Sequence, residues 1–331
     1  MPQSPGGRGR GGAVGAQRMG ALEEAAARAL RRPGAAAQFR LDAAAVAGGL
    51  RPAALLDVPL GANEAAGAPR RGNRGKEVRD WGVKAAEGER ARAVALALAA
   101  RAAAAAVGRD RGTSLLLVAV FRGSVLLFSA EHSARLLQAQ RSLFARLEPG
   151  DGCVARWAAL DGAEHLPGPC RAALELLLRA ADGGRAARGG DDDGGVLDLD
   201  SLCSGEGRQG RGAGGELAPA TLVGWLLGYP VVYCFEAGSE REVAEALGGA
   251  PLTRVAVHAE TAPPPRRLGA GSPGRAPEII AFTYPGSLPG ASAAVAAFLE
   301  RVRGLSGRIP GLGALECSCS AVDANSCVIA I

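Results

Sequence analysis

Large apolar residues occupy a handful of stretches, and the spacing within each stretch predicts an element. Residues 114–121 and 124–129 are two leucine-, valine- and phenylalanine-rich runs separated by Arg122-Gly123, which predicts a β-hairpin. Leu136, Leu137, Leu143, Phe144 and Leu147 recur at three- and four-residue spacing, so residues 131–147 predict one amphipathic helix stopped by Pro149-Gly150. Residues 169–181 present a second leucine-faced helix. A further helix over 219–227 opens on Pro219 and closes at Gly228, with a strand over 231–235 behind it. Residues 239–247 predict a helix capped by Ser239, with Glu242 at the capping-box position. Strands at 252–258 and 278–283, a helix at 291–303, and strands at 314–322 and 327–331 complete the C-terminal half.

The N-terminal half is less regular. Residues 21–32 form an Ala/Glu helical pattern halted by Pro33-Gly34, with arginines where the helix dipole favours cations. Phe39, Leu41, Val46 and Leu50 mark a second short helix closing at Gly48-Gly49, followed by a strand near residues 55–58. A helix over 90–107 and a strand over 153–160 are expected, whereas 196–202 is ambiguous. Helices and strands alternating in this way predict an α/β protein, a layered fold with a mixed, partly antiparallel sheet and flanking helices.

Between the apolar stretches lie segments of another kind. Residues 61–89 hold Gly, Ala, Arg and Asn with few large apolar side chains, so burial there cannot offset the entropy of ordering the chain. The expected organisation is a disordered start (1–20), the N-terminal part of an α/β domain (21–60), a low-complexity insert (61–89) and the main part of the same domain (90–331). Loops at 182–195, 204–215 and 261–277 are expected to be disordered.

Composition changes this picture in two ways. The chain is 48% hydrophobic, but much of that share is alanine, which buries far less apolar area than leucine or valine. Only Lys76 and Lys84 are lysines and every other basic residue is arginine, a bias that weakens any reading of the Arg/Gly stretches as nucleic-acid binders. The formal charge of +5 is concentrated outside the apolar stretches: residues 1–32 carry about +4 and 66–111 about +6, leaving the remainder mildly acidic. No apolar run reaches the roughly 20 residues of a membrane helix, and residues 1–19 lack an apolar signal core. Seven cysteines without framework spacing fit reduced thiols. The expectation is a soluble, non-secreted protein of the cytoplasm or nucleus.

Three segments carry a resemblance: Gly49-Leu50-Arg51-Pro52-Ala53-Ala54-Leu55-Leu56-Asp57, Leu226-Leu227-Gly228-Tyr229-Pro230-Val231-Val232-Tyr233, and Ala281-Phe282-Thr283-Tyr284-Pro285. Together they resemble a family of uncharacterised animal proteins named after an open reading frame on human chromosome one and classed as a domain of unknown function. The resemblance runs from about Phe39 onward, interrupted by the Arg/Gly/Ala-rich stretches. It implies no activity and no cofactor.

Candidate chemistry is sparse. Gly7-x-Gly9-x-x-Gly12 matches a dinucleotide-binding string but has neither the preceding strand nor the following helix that the mechanism needs. Asp191, Asp192, Asp193, Asp198 and Asp200 are hard oxygen donors, yet their spacing is that of a solvated loop and not of an EF-hand. His132, His165 and His258 stand far apart, and Cys317 and Cys319 share a strand face without two further ligands nearby in sequence. Buried cysteine acting as a small hydrophobe is the plainer reading of Cys234, Cys317 and Cys319, and Cys327 is misplaced for a prenylation box. Ser287, in Pro285-Gly286-Ser287-Leu288-Pro289-Gly290, reads as a turn residue.

The leading expectation is an intracellular protein that acts through an unidentified protein partner, without catalysis, metal or cofactor. One alternative is a hydrolase or metal-dependent enzyme using Asp57, His132 or the Asp198/Asp200 pair at strand ends. Another is non-specific binding of nucleic acid by the Arg-rich inserts.

Overall fold

The computed structural model describes residues 24, 27–30, 33–56, 93–97, 99–100, 116–121, 124–129, 131–148, 156–160, 166–186, 197–199, 217–260 and 276–322. The insert expected at 61–89, the loop expected at 204–215 and the strand expected at 327–331 lie outside the described residues. The strands are β1 (Ala53–Leu56), β2 (Leu116–Phe121), β3 (Ser124–Ser129), β4 (Leu143–Glu148), β5 (Arg156–Leu160), β6 (Leu197–Asp198), β7 (Val231–Tyr233), β8 (Leu252–Ala259), β9 (Glu278–Pro285) and β10 (Leu315–Val322). The helices are α1 (Pro33–Ala47), α2 (Ser133–Ala139), α3 (Gly168–Ala186), α4 (Pro219–Leu226), α5 (Glu240–Gly248) and α6 (Ala291–Leu305), and residues 27–30 and 93–97 are helical as well.

The fold is α/β, with helices packed on mixed and antiparallel sheets. The strands divide among three small sheets, ordered β1-β3-β2-β6, β10-β8-β9 and β5-β4-β7, where a single sheet was expected. The hairpin is present, with Phe121 opposite Ser124 and Leu116 opposite Ser129. The division originates in residues 131–147, which form a helix and then a strand. The helix α2 ends when Gln140 turns to extended backbone (ψ 121°), and β4 begins three residues later. Leu143 donates its N–H to Pro230 O at 2.8 Å and so starts a parallel ladder with β7. The three- and four-residue spacing across the segment came from joining a helix face to an alternating strand, two periods that short runs do not separate.

Alternation in the first sheet explains its position. Val118, Val120, Val125 and Leu127 face one side, packed with Phe39, Ala43 and Val46 of α1 and with Ala93, Leu96, Ala97 and Ala100. Ala119, Phe121, Leu126 and Phe128 face the other, packed with Leu137 of α2, Leu177 of α3, and Leu222 and Trp225 of α4. Both faces are covered, so these strands read as continuous apolar runs. Each fully buried Leu or Phe contributes about 1.5–3 kcal/mol.

The helix α1 serves two sheets. Residues 41–46 are buried all round, because Leu41, Ala44 and Ala45 join the core under β8, β9 and α6 while Ala43 and Val46 join the first. Small alanines allow that approach on both sides. Within this run Asp42 is the sole charge; it pairs with Arg51 and accepts from Gln38 Nε2 at 3.2 Å. Arg51 also donates to Ile279 O at 2.9 Å, and Tyr233 Oη donates to Thr283 O at 2.9 Å. These two donors occupy carbonyls on the edge of β9, where a further strand would otherwise pair.

Four further expectations are corrected. Pro33 does not stop a helix but begins α1, where its missing N–H costs nothing. The helix α3 continues to Ala186, so residues 182–186 are not loop. Ser239 is the N-cap of α5 but makes no side-chain capping bond. Pro277, expected within the 261–277 loop, is tied to the end of β8, its carbonyl accepting from Ala259 N at 3.0 Å.

Candidate binding cleft

Two helices end in the same way, and their ends face each other. Behind α1, Gly49 adopts φ +71°, Gly49 N bonds Val46 O at 3.1 Å and Leu50 N bonds Ala45 O at 2.8 Å. Behind α4, Gly228 adopts φ +81°, Gly228 N bonds Trp225 O at 3.0 Å and Tyr229 N bonds Gly224 O at 3.2 Å. Both are Schellman turns, in which a left-handed residue lets two backbone N–H groups satisfy the last helical carbonyls. Each is followed by a proline, Pro52 and Pro230, which directs the chain into a strand. A Cβ on Gly228 would overlap the Pro52 ring, so the two turns touch because that position is glycine.

Polar side chains hold the pair in place. Ser133 Oγ accepts from Ser129 N at 2.7 Å and donates to Pro52 O at 2.5 Å. Ser142 Oγ donates to Tyr229 O at 2.8 Å, and Gln140 Nε2 donates to Ser142 Oγ, to Tyr229 O at 3.3 Å and to Trp225 O at 3.4 Å. From α6, Arg301 Nη1 donates to Leu50 O at 2.8 Å and to Gly49 O at 3.5 Å. Below them Phe282 lies tilted against Tyr229 and meets Phe298 edge-on, both with ring centroids 5.5 Å apart.

Between the turns, the end of α2 and the face of α6 lies a cleft of about 320 Å³. Its walls are apolar: Pro52, Leu136, Pro230, Ala294, Ala297 and Phe298. Its charged lining residues are both arginines, Arg301 and Arg141, and Gln140 is a further polar one. Burial pushes the Arg301 guanidinium below its ordinary value, with no carboxylate opposing the shift. Its guanidinium carbon lies 5.4 Å from the Phe298 ring centre, a cation–π contact that offsets part of the lost hydration. The 49–57 and 226–233 segments meet at the cleft, through Pro52 and through Gly228 and Pro230, and Phe282 lies behind its wall against Phe298.

None of the described residues singled out from the sequence for candidate chemistry is among those that line the cleft. Asp57, Asp191, Asp192, Asp193, Asp200, His165, Cys327 and the Gly7-x-Gly9-x-x-Gly12 string lie outside the described residues. Asp198 ends β6, in parallel register with Val120. His132 is the half-buried N-cap of α2, its backbone N–H held by Ser129 Oγ at 3.1 Å, and its ring packs beside Gly49. Ser129 pairs with Leu116 at one end of β2 and Asp198 with Val120 near the other, about 13 Å along the strand. The register does not bring His132 and Asp198 together. His258 is buried with Nδ1 3.1 Å from Ala276 O. Cys234 and Cys317 are half-buried, and burial pushes both thiols up, away from thiolate reactivity. Cys319 is exposed. Ser287 lies in an exposed turn. Among the described residues no three His, Cys, Asp or Glu side chains cluster as a metal would require, and no helix is long and apolar enough to cross a membrane.

No protein-family model, curated protein or solved structure matches the chain. The site therefore rests on its own geometry.

Proposed function

We propose that the protein works by binding a partner protein at the cleft between its two Schellman turns, as an intracellular recognition protein. One observation carries this reading: an apolar cleft lined by prolines and Phe298 has two arginines, Arg141 and Arg301, in its lining. Arginine stays protonated across the physiological range, so these groups suit recognition and not proton transfer. Apolar walls with a few fixed polar groups are the general make-up of a binding cleft. Of the residues named for the enzyme alternative, His132 and Asp198 are the described ones, and the register sets them at opposite ends of a sheet.

A photo-reactive residue placed at Ala297, which is exposed on the cleft wall, tests the proposal in cells that express the protein. The control is Ala296, exposed on the same helix but outside the cleft lining. The expected result is discrete cross-linked protein species from position 297 that position 296 does not give. Identical patterns from both positions, or none from either, contradict it.

A further inference from the structure

We infer that the cleft takes the C-terminal carboxylate of a partner polypeptide together with its last apolar side chains. The inference rests on the binding reading above and adds the chemistry of the ligand.

Arg301 comes first. Its Nη1 is held by the carbonyls of Gly49 and Leu50, and these bonds fix the plane of the guanidinium. Nε and Nη2 have no hydrogen-bond partner among the described residues, neither is a buried unsatisfied atom, and Arg301 is one of the residues that line the cleft. Two neighbouring guanidinium N–H groups form the fork that matches the two oxygens of a carboxylate. A partly desolvated cation gains most from a counter-ion, because the local dielectric is low.

Arg141 lines the same cleft, is exposed, and pairs with no described carboxylate. Gln140 supplies the complementary polarity. Its two Nε2 protons are shared among Ser142 Oγ and the carbonyls of Trp225 and Tyr229, and Oε1, near the Gly228 turn, has no hydrogen-bond donor among the described residues. A chain end needs this combination: donors for the terminal oxygens, an acceptor for a backbone N–H, and apolar walls for the side chains. The volume of about 320 Å³ accommodates two or three residues, the length that a terminal carboxylate and its last apolar side chains need.

The test titrates the purified full chain with a pool of short peptides that have randomised apolar last residues and a free C-terminus. The same pool is also prepared with an amidated C-terminus. Binding of the free-carboxylate pool, weakened about tenfold or more by amidation and by Arg141→Ala, is the expected result. Arg301→Lys keeps the charge but loses the fork, and is expected to weaken binding by a similar factor. Because Arg301 also ties α6 to Gly49 and Leu50, Arg141→Ala is the decisive variant should the Arg301 variant not fold.

Several results would overturn the inference. Equal binding of the amidated pool, insensitive to Arg141→Ala, leaves the cleft a binding site but removes the carboxylate. Amidated peptides ending in glutamate that bind as tightly as the free pool replace the chain end with a side-chain acid. Inorganic phosphate that binds alone and displaces the peptides makes the site a phosphate site. Should no peptide bind while Ala297 still cross-links to a protein, only the ligand chemistry fails. Failure of both experiments removes the binding reading as well.

Discussion

Gly228 carries two demands at once, a left-handed backbone and contact with Pro52, and only glycine meets both. An alanine there incurs the left-handed penalty and a steric overlap, so Gly228→Ala is expected to lower stability by about 2–4 kcal/mol, read from the urea midpoint. Gly248→Ala is the comparison, because a Cβ there meets nothing and its φ is ordinary; a change within about 0.5 kcal/mol is expected. Asp42 is a different kind of residue constraint. Burial pushes its carboxyl above the usual carboxylate range, and the pull of Arg51 and Gln38 only partly reverses this. Its folded-state value then exceeds its unfolded one, so the folded state holds the proton over a window that the unfolded state does not. The stability of the wild type relative to Asp42→Asn should therefore fall as pH rises from the usual carboxylate range through the raised value. Removing the side chain altogether leaves Arg51 buried without its counter-charge, and Asp42→Ala is expected to cost about 3–5 kcal/mol. A pH-independent difference between wild type and Asp42→Asn would contradict the account of this pair.

At the scale of elements, the edge of β9 is closed by side chains and not by a strand. Tyr233→Phe removes the donor from Thr283 O while keeping the ring in its tilted contact with Trp157, centroids 5.1 Å apart. The expected loss is about 1–2 kcal/mol, with faster hydrogen exchange in β9 and unchanged exchange in β2 and β3. Uniform acceleration in all three strands would contradict a local role. Elements marked by punctuation were legible from the sequence: the hairpin around Arg122-Gly123, the helix–turn–strand unit at Gly228-Tyr229-Pro230, and α6 with β8 and β9. The short α2 and β4 were not. Their boundary is set by Gln140 and Ser142 bonding carbonyls some 87 residues away in sequence, as Ser142 does at Tyr229 O, and local periodicity carries no trace of such bonds. Pro33 misled for a related reason, since proline punctuates both ends of helices and only the packing of α1 tells which.

For the whole molecule, the α/β class was legible because alternation and turn residues agree, but the division into three sheets was not, since strand pairing is a long-range choice. The cleft was half legible. Its two turns lie in segments already marked by glycine followed by proline, whereas Arg141 and Arg301 are lost among many arginines that composition alone supplies. The acidic cluster and the histidines drew notice because their chemistry is visible in one residue, but a cleft depends on juxtaposition. Alanine methyl resonances give the most direct view of it, because Ala139, Ala294 and Ala297 line the cleft while Ala296 faces away and Ala321 lies on β10. Titration of methyl-labelled protein with the free-carboxylate peptide pool should shift Ala139, Ala294 and Ala297 and leave Ala296 and Ala321 in place. Shifts centred on Ala296 or Ala321, or no shift at saturating peptide, would contradict recognition at the cleft.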